Sequence, residues 1–137
     1  MKRTTIKSIL ASALLVVAAS GATLATAVTP QTVDVKQAAA MQSSGALLLD
    51  VRETDEYAQA HAPGSTLIPL GQLQQRLQEI DRHKNTPVVL ICRSGRRSEQ
   101  AQKILEKAGF SATVNVEGGM NSWQKAGLPV VSGPASR

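Results

Sequence analysis

Cys92 is the one cysteine of the chain, and it opens the segment Cys92-Arg93-Ser94-Gly95-Arg96-Arg97-Ser98. A strand-like apolar run ends just before it and a helix-like pattern follows. A thiol in that place meets unpaired backbone N–H groups, the positive end of a helix dipole and nearby guanidinium groups, all of which favour thiolate over thiol. Thiolate is the nucleophilic form, so the segment suits covalent chemistry at sulfur. A lone cysteine is more often an inert core residue, but Arg-Ser-Gly-Arg-Arg is not the flank of an apolar core position. A single cysteine makes no internal disulfide, which leaves a fold held by its core, a thiol paired between chains, or a thiol kept for reactivity.

Spacing narrows the chemistry. Cysteine-dependent phosphatases wrap phosphate in a loop of Cys, five residues, then Arg. Here Arg97 arrives one residue early and Ser98 holds the sixth place. The shorter loop makes a smaller ring of N–H groups, suited to a sulfur atom on Cys92 or a compact sulfur oxyanion. That disfavours a phosphatase or an arsenate-type reductase. Arg93, Arg96 and Arg97 are the local positive surplus, which points to a small anionic ligand rather than a polyanion.

These residues need strands and helices to position them. Ala46–Val51 and Pro87–Ile91 are continuous apolar runs, as in strands buried on both faces. Thr113–Val116 is a third core strand, with shorter strands at Val33–Val35 and Thr66–Ile68. Helices are expected at Lys36–Gln42, Glu53–Ala60, Gly71–Ile80, from Gly95 or Arg96 to Ala108, and at Met120–Ala126. Leu73, Leu77 and Ile80 mark the third; Ala101, Ile104, Leu105 and Ala108 mark the fourth, with Gly109 as its stop. Asp81–Thr86 reads as a polar loop. Alternating strands and helices predict an α/β domain with a mostly parallel central sheet and helices on both faces. Ligands of such sheets bind beyond the carboxyl ends of the strands, where both Asp50 and Cys92 fall.

The amino end has a different character. Lys2, Arg3 and Lys7 precede the apolar run Ile9–Ala19, small residues close at Ala25-Thr26-Ala27, and no charge occurs between Lys7 and Asp34. This is the order of a cleavable secretory signal peptide over 1–27; the alternative is a retained membrane anchor, which the shortness of the apolar part disfavours. A linker over 28–32, a domain over 33–131 and a polar, unstructured tail over 132–137 complete the reading. The formal charge of +5 falls to a surplus of two once the three leader charges are removed. That gives no support to nucleic-acid binding, and the mature chain is not expected to insert in a membrane.

The reactive segment resembles the active-site loop of the rhodanese family. Asp50-Val51-Arg52, Glu56-Tyr57, His61-Ala62-Pro63-Gly64-Ser65 and Ile68-Pro69 are similar to that family's earlier signature, and Val116-Glu117-Gly118-Gly119, Trp123 and Gly127-Leu128-Pro129-Val130 to its closing segment. The likeness runs from Val33 to Val131. Departures are confined to the turn: Ala60 where Gly is usual, Ala62 where Ile is usual, Ser65 where Ala is usual. With the leader, the chain resembles small single-domain periplasmic rhodaneses of bacteria, the phage-shock protein E type. The resemblance implies a single rhodanese-like domain and a thiosulfate sulfurtransferase. Cys92 would take sulfur from thiosulfate or another sulfane donor and pass it to cyanide or a small thiol. Arg93, Ser94, Gly95, Arg96 and Arg97 would bind substrate, with Arg97 shaping the loop and Arg93 facing the anion. Asp50, Arg52 and Ser98 would support, Asp50 and Arg52 as a buried pair bracing the loop. No metal or organic cofactor is implied. The alternative is a rhodanese-like sulfur carrier or anion- or partner-binding module without turnover. His61 reads as a hydrogen-bonding turn residue, Trp123 as core, and Gly118 and Gly119 as permissions for a tight turn.

Overall fold

The structure is a computed structural model that describes residues 21–22 and 31–136. The expected leader falls outside the described residues except for Gly21 and Ala22, as do 28–30 of the expected linker. Among the described residues, no helix is long and apolar enough to cross a membrane.

Five strands, β1 (Thr32–Val33), β2 (Leu47–Asp50), β3 (Thr66–Leu67), β4 (Val88–Ile91) and β5 (Thr113–Val116), form one sheet in the order β1-β5-β4-β2-β3. Every pairing is parallel. Among the described residues, four α-helices join them, α1 (Val35–Ser43), α2 (Thr54–Gln59), α3 (Leu70–Leu73) and α4 (Arg96–Lys107), and a fifth, α5 (Gly119–Lys125), follows β5. Successive strand side chains point to opposite faces, which is why the core strands read as unbroken apolar runs. Leu48, Val89, Ile91, Val114 and Val116 pack with Ala38 of α1 and Met120 and Trp123 of α5. Leu49, Val88 and Leu90 pack on the other face with Leu73, Ala101 and Leu105. Cys92 continues the alternation of Val88 and Leu90 and so lies on the α4 face. Leu105 alone, at 0% exposure, contributes roughly 1.5–3 kcal/mol of burial.

Three local readings change. The first strand is Thr32–Val33, taking Thr32 from the expected linker, because Asp34 stops it with a capping box: its Oδ1 accepts from Gln37 N–H at 2.8 Å, and Gln37 Oε1 accepts from Asp34 N–H at 3.0 Å. The helix expected over Gly71–Ile80 is two pieces, α3 and a 3-10 segment, Leu77–His83, which takes over the start of the expected loop. Arg76 breaks the run, with φ −113° and ψ 13° and its guanidinium on Glu79 (2.6 and 2.9 Å) and Gln72 (2.9 Å). Three residues per turn keep Leu77 and Ile80 on one face, so the apolar spacing survives the change of helix. The tail is tied down at its start. Val131 and His61 exchange backbone hydrogen bonds at 2.9 Å, Ser132 Oγ donates to Gln59 O at 2.9 Å, and Gly133 N–H donates to Ala58 O at 2.8 Å. The last two satisfy carbonyls that the end of α2 leaves open.

Candidate active site

Cys92 follows β4 directly, and α4 begins four residues later. Gly95 makes the turn with φ +104°, a conformation that favours glycine, and its N–H donates to Cys92 Sγ at 3.0 Å. Ser98, in the first turn of α4 and 0% exposed, places Oγ 3.3 Å from Sγ. Two carbonyls of the loop are drawn the other way: Met120 N–H donates to Cys92 O at 2.8 Å and Asn121 N–H to Arg93 O at 3.0 Å. This approach has no room for a side chain at Gly119, whose φ is +53° and where a Cβ would lie 2.7 Å from Arg93 C. The start of α5 therefore anchors the backbone of the loop that carries the thiol.

Burial, the largest influence, pushes the Cys92 thiol up, yet its pKa ends below the ordinary value. The Ser98 hydroxyl and the backbone N–H groups of Ser98, Gly95 and Ser94 together outweigh it. Of the amides expected from the sequence, that of Gly95 makes a hydrogen bond to the sulfur. Of the guanidinium groups, Arg97 interacts with the sulfur through its charge, but the hydrogen bonds to the sulfur come from the loop and from Ser98. Cys92 is 1% exposed, packed against Leu90 and Ala101 on one side and facing the loop on the other.

The predicted arginines separate. Arg97 donates from Nη1 and Nη2 to the two carboxylate oxygens of Glu56, both at 2.7 Å, tying α4 to α2 instead of turning to the sulfur. Glu56 is held down to about 2 from its ordinary 4.5, first by the Arg97 hydrogen bonds, against burial, and further by the Glu53 N–H and the charges of Arg97 and Arg52. Arg93 is exposed and lines a cavity of about 310 Å³ with Arg52, Glu56, Gln59, Ala60, Met120, Asn121 and Gln124. Ser94 and Arg96 are exposed at the loop and at the first residue of α4.

Asp50 and Arg52 form the expected buried pair. Arg52 Nη2 lies 2.7 Å from Asp50 Oδ2, and Nε 3.0 Å from both carboxylate oxygens. Arg52 also donates to Ala60 O at 2.9 Å and Glu56 O at 3.3 Å. The pair braces the end of α2, the far wall of the cavity, rather than the cysteine loop. His61 is the expected turn residue, with Nδ1 2.7 Å from Tyr57 O and its ring stacked on Tyr57 at 3.7 Å. Trp123 is core, its Nε1 donating to Pro129 O at 2.9 Å.

Two residues of the site were given no role there by the sequence reading, although Glu56 belongs to the Glu56-Tyr57 signature. Glu56 stands 41 residues from the arginine it binds, so no local pattern signals the pair. Asn115 lies inside an apolar strand, where it sits 2.5 Å from Ser98 Oγ and donates through Nδ2 to Gly95 O at 3.1 Å. A polar residue amid Val114 and Val116 was the available signal.

Known proteins resemble the chain in this same region. A family model, the rhodanese-like domain, matches residues 34–126. The putative sulfur carrier protein YrkF of Bacillus subtilis (strain 168) is 46% identical over 76 residues, 56% of this chain and 40% of that protein's length. A sulfurtransferase of Allochromatium vinosum is 38% identical over 86 residues, 63% of this chain and 78% of that protein. The crystal structure of thiosulfate sulfurtransferase from Pseudomonas aeruginosa superposes with a TM-score of 0.67 at 27% identity, covering 74% of this chain and 20% of that one.

Proposed function

Since the chain belongs to the rhodanese-like domain family, we propose that it is a thiosulfate sulfurtransferase that carries sulfur as a persulfide on Cys92. The observation that supports this most is the sulfur itself: its Sγ receives the Gly95 N–H at 3.0 Å with Ser98 Oγ at 3.3 Å, and its pKa is lowered although it is buried. The Cys92 thiolate attacks the outer sulfur of thiosulfate. An S–S bond to Cys92 forms, the S–S bond of thiosulfate breaks, and sulfite leaves with the electron pair. Cyanide or a small thiolate then attacks the outer sulfur of the persulfide and restores the Cys92 thiolate. Charge balances in both displacements, and no base is required. The amides of Ser94, Gly95 and Ser98 steady the negative sulfur at each stage. Arg93, exposed at the cavity, attracts the dianion, with Arg96 adding to the local field. Arg97 acts at a remove, by fixing the start of α4 through Glu56.

The same reading assigns the protein to the small periplasmic, phage-shock protein E-like members of the family. Its support is the leader pattern over 1–27. Osmotic-shock release of a chain whose amino end is Val28 would bear it out, and recovery of the uncut chain in the cytoplasm would overturn it.

Intact mass tests the chemistry. Thiosulfate should add one sulfur atom to the protein, cyanide should remove it as thiocyanate, and Cys92→Ser should do neither. A wild-type protein that gains no sulfur would overturn the assignment. The burial of Cys92 at 1% exposure and the putative sulfur carrier among the relatives favour one second reading, a carrier that receives a persulfide from a partner without turnover of its own. A protein loaded by a persulfide donor but inert to thiosulfate would establish it.

A further inference from the structure

Ser98 has one hydroxyl hydrogen and two acceptors for it: Asn115 Oδ1 at 2.5 Å and Cys92 Sγ at 3.3 Å. The orientation of the Asn115 amide is fixed, because Nδ2 donates to Gly95 O at 3.1 Å and only Oδ1 is left to face Ser98. Asn115 shares the α4 face of the sheet with Cys92, since Val114 and Val116 point to the other. At these distances the hydrogen rests on Asn115 while Cys92 is a thiol. When Cys92 loses its proton to water, the hydroxyl must turn to Sγ, and a buried carbonyl oxygen loses its donor.

We infer that Asn115 is a positioning residue that governs the charge state of Cys92 through Ser98, by holding the hydroxyl hydrogen that the thiolate would otherwise receive. The other charged groups around the sulfur leave this role open. Arg97 of α4 feels the sulfur's charge, but its guanidinium is engaged by Glu56. The Asp50–Arg52 pair at the end of β2 is closed on itself and on α2. Arg93 in the loop is exposed, and the first turn of α5 has no acidic side chain. Removing Asn115 does not release the loop, because Gly95 O also accepts from Glu99 N–H at 3.2 Å.

The experiment is a titration of thiolate ultraviolet absorbance, unambiguous in a chain with one cysteine and corrected with Cys92→Ser. Asn115→Ala frees the hydroxyl, and the thiolate-to-thiol ratio at fixed pH rises roughly three- to tenfold, half to one pH unit. Asn115→Asp, a stronger acceptor with a charge, lowers the ratio by at least as much. In a Ser98→Ala background the Asn115→Ala rise disappears and the Asp effect shrinks. An Asn115→Ala ratio that stays level or falls, or one that rises equally without Ser98, overturns the inference. Should Asn115→Ala fail to fold by circular dichroism, the isosteric Asn115→Asp with and without Ser98 decides by the same rule. The bearing on sulfur transfer rests on the function proposed above, but the titration does not. A protein that takes no sulfur from thiosulfate and still titrates this way sinks the function and keeps the inference.

Discussion

Replacing Glu56 by Gln removes one charge and little else. The amide keeps an oxygen for the Glu53 N–H, so the capping box of α2 survives. Arg97 loses a partner that now meets it twice at 2.7 Å. The fall of the Glu56 carboxyl from 4.5 to about 2 corresponds to roughly 3.4 kcal/mol at about 1.36 kcal/mol per pH unit. The two side chains are 31% and 27% exposed, so solvent screening and the ordering of two long side chains reduce this to about 1–2 kcal/mol. The folded pKa lies below the unfolded one. The contribution is therefore complete above about 4.5 and is lost as pH falls through about 2. Urea unfolding at neutral pH should find Glu56→Gln weaker by about 1–2 kcal/mol at an unchanged denaturant slope. The gap should close as the pH is lowered from 4.5 towards 2. Equal stabilities at neutral pH, or a gap that does not narrow in acid, would refute the reasoning.

Arg52→Met leaves Asp50, at 0% exposure, without its guanidinium and should cost about 3–5 kcal/mol in urea unfolding, much of it recovered by adding Asp50→Leu. Gly119→Ala sets a methyl group against the Cys92 and Arg93 backbone at a φ of +53°. It should cost about 2–4 kcal/mol and slow sulfur loading by thiosulfate, both read on the same purified protein. Loading as fast as wild type would show that α5 does not set the loop.

The sequence carried the sheet because its strands are buried on both sides. Unbroken runs such as ALLLDV and PVVLI are too short for a buried helix and too apolar for a surface strand, so they belong at the centre of a sheet. Cys92 and Asp50 fall at their carboxyl ends in register, with Asp50 paired to Ile91. The same strength of pattern hid the break at Arg76, because 3-10 and α turns place Leu77 and Ile80 on one side alike. At the site, the amide contact to the sulfur was legible and the partner of Arg97 was not. Three arginines within five residues suggested a field from guanidinium charge. Arg97 does bear on the sulfur through its charge, but its hydrogen bonds go to a glutamate far away in the chain, and the contacts to the sulfur are those of Gly95 and Ser98. Asn115 was missed because its role depends on β5 lying beside β4, a neighbour relation that no single strand records.

That neighbour relation also sets an order in time. Residues up to Cys92 complete β2, β3 and β4, but the groups that place the sulfur, Asn115 on β5 and the amides of Met120 and Asn121, are synthesised afterwards. A growing chain on the ribosome thus carries its thiol well before the anchors of the cysteine loop exist. The set of the cysteine loop becomes a property of the finished molecule, and a chain cut short after α4 would keep the donors of residues 94–98 without the strand and helix that pin them.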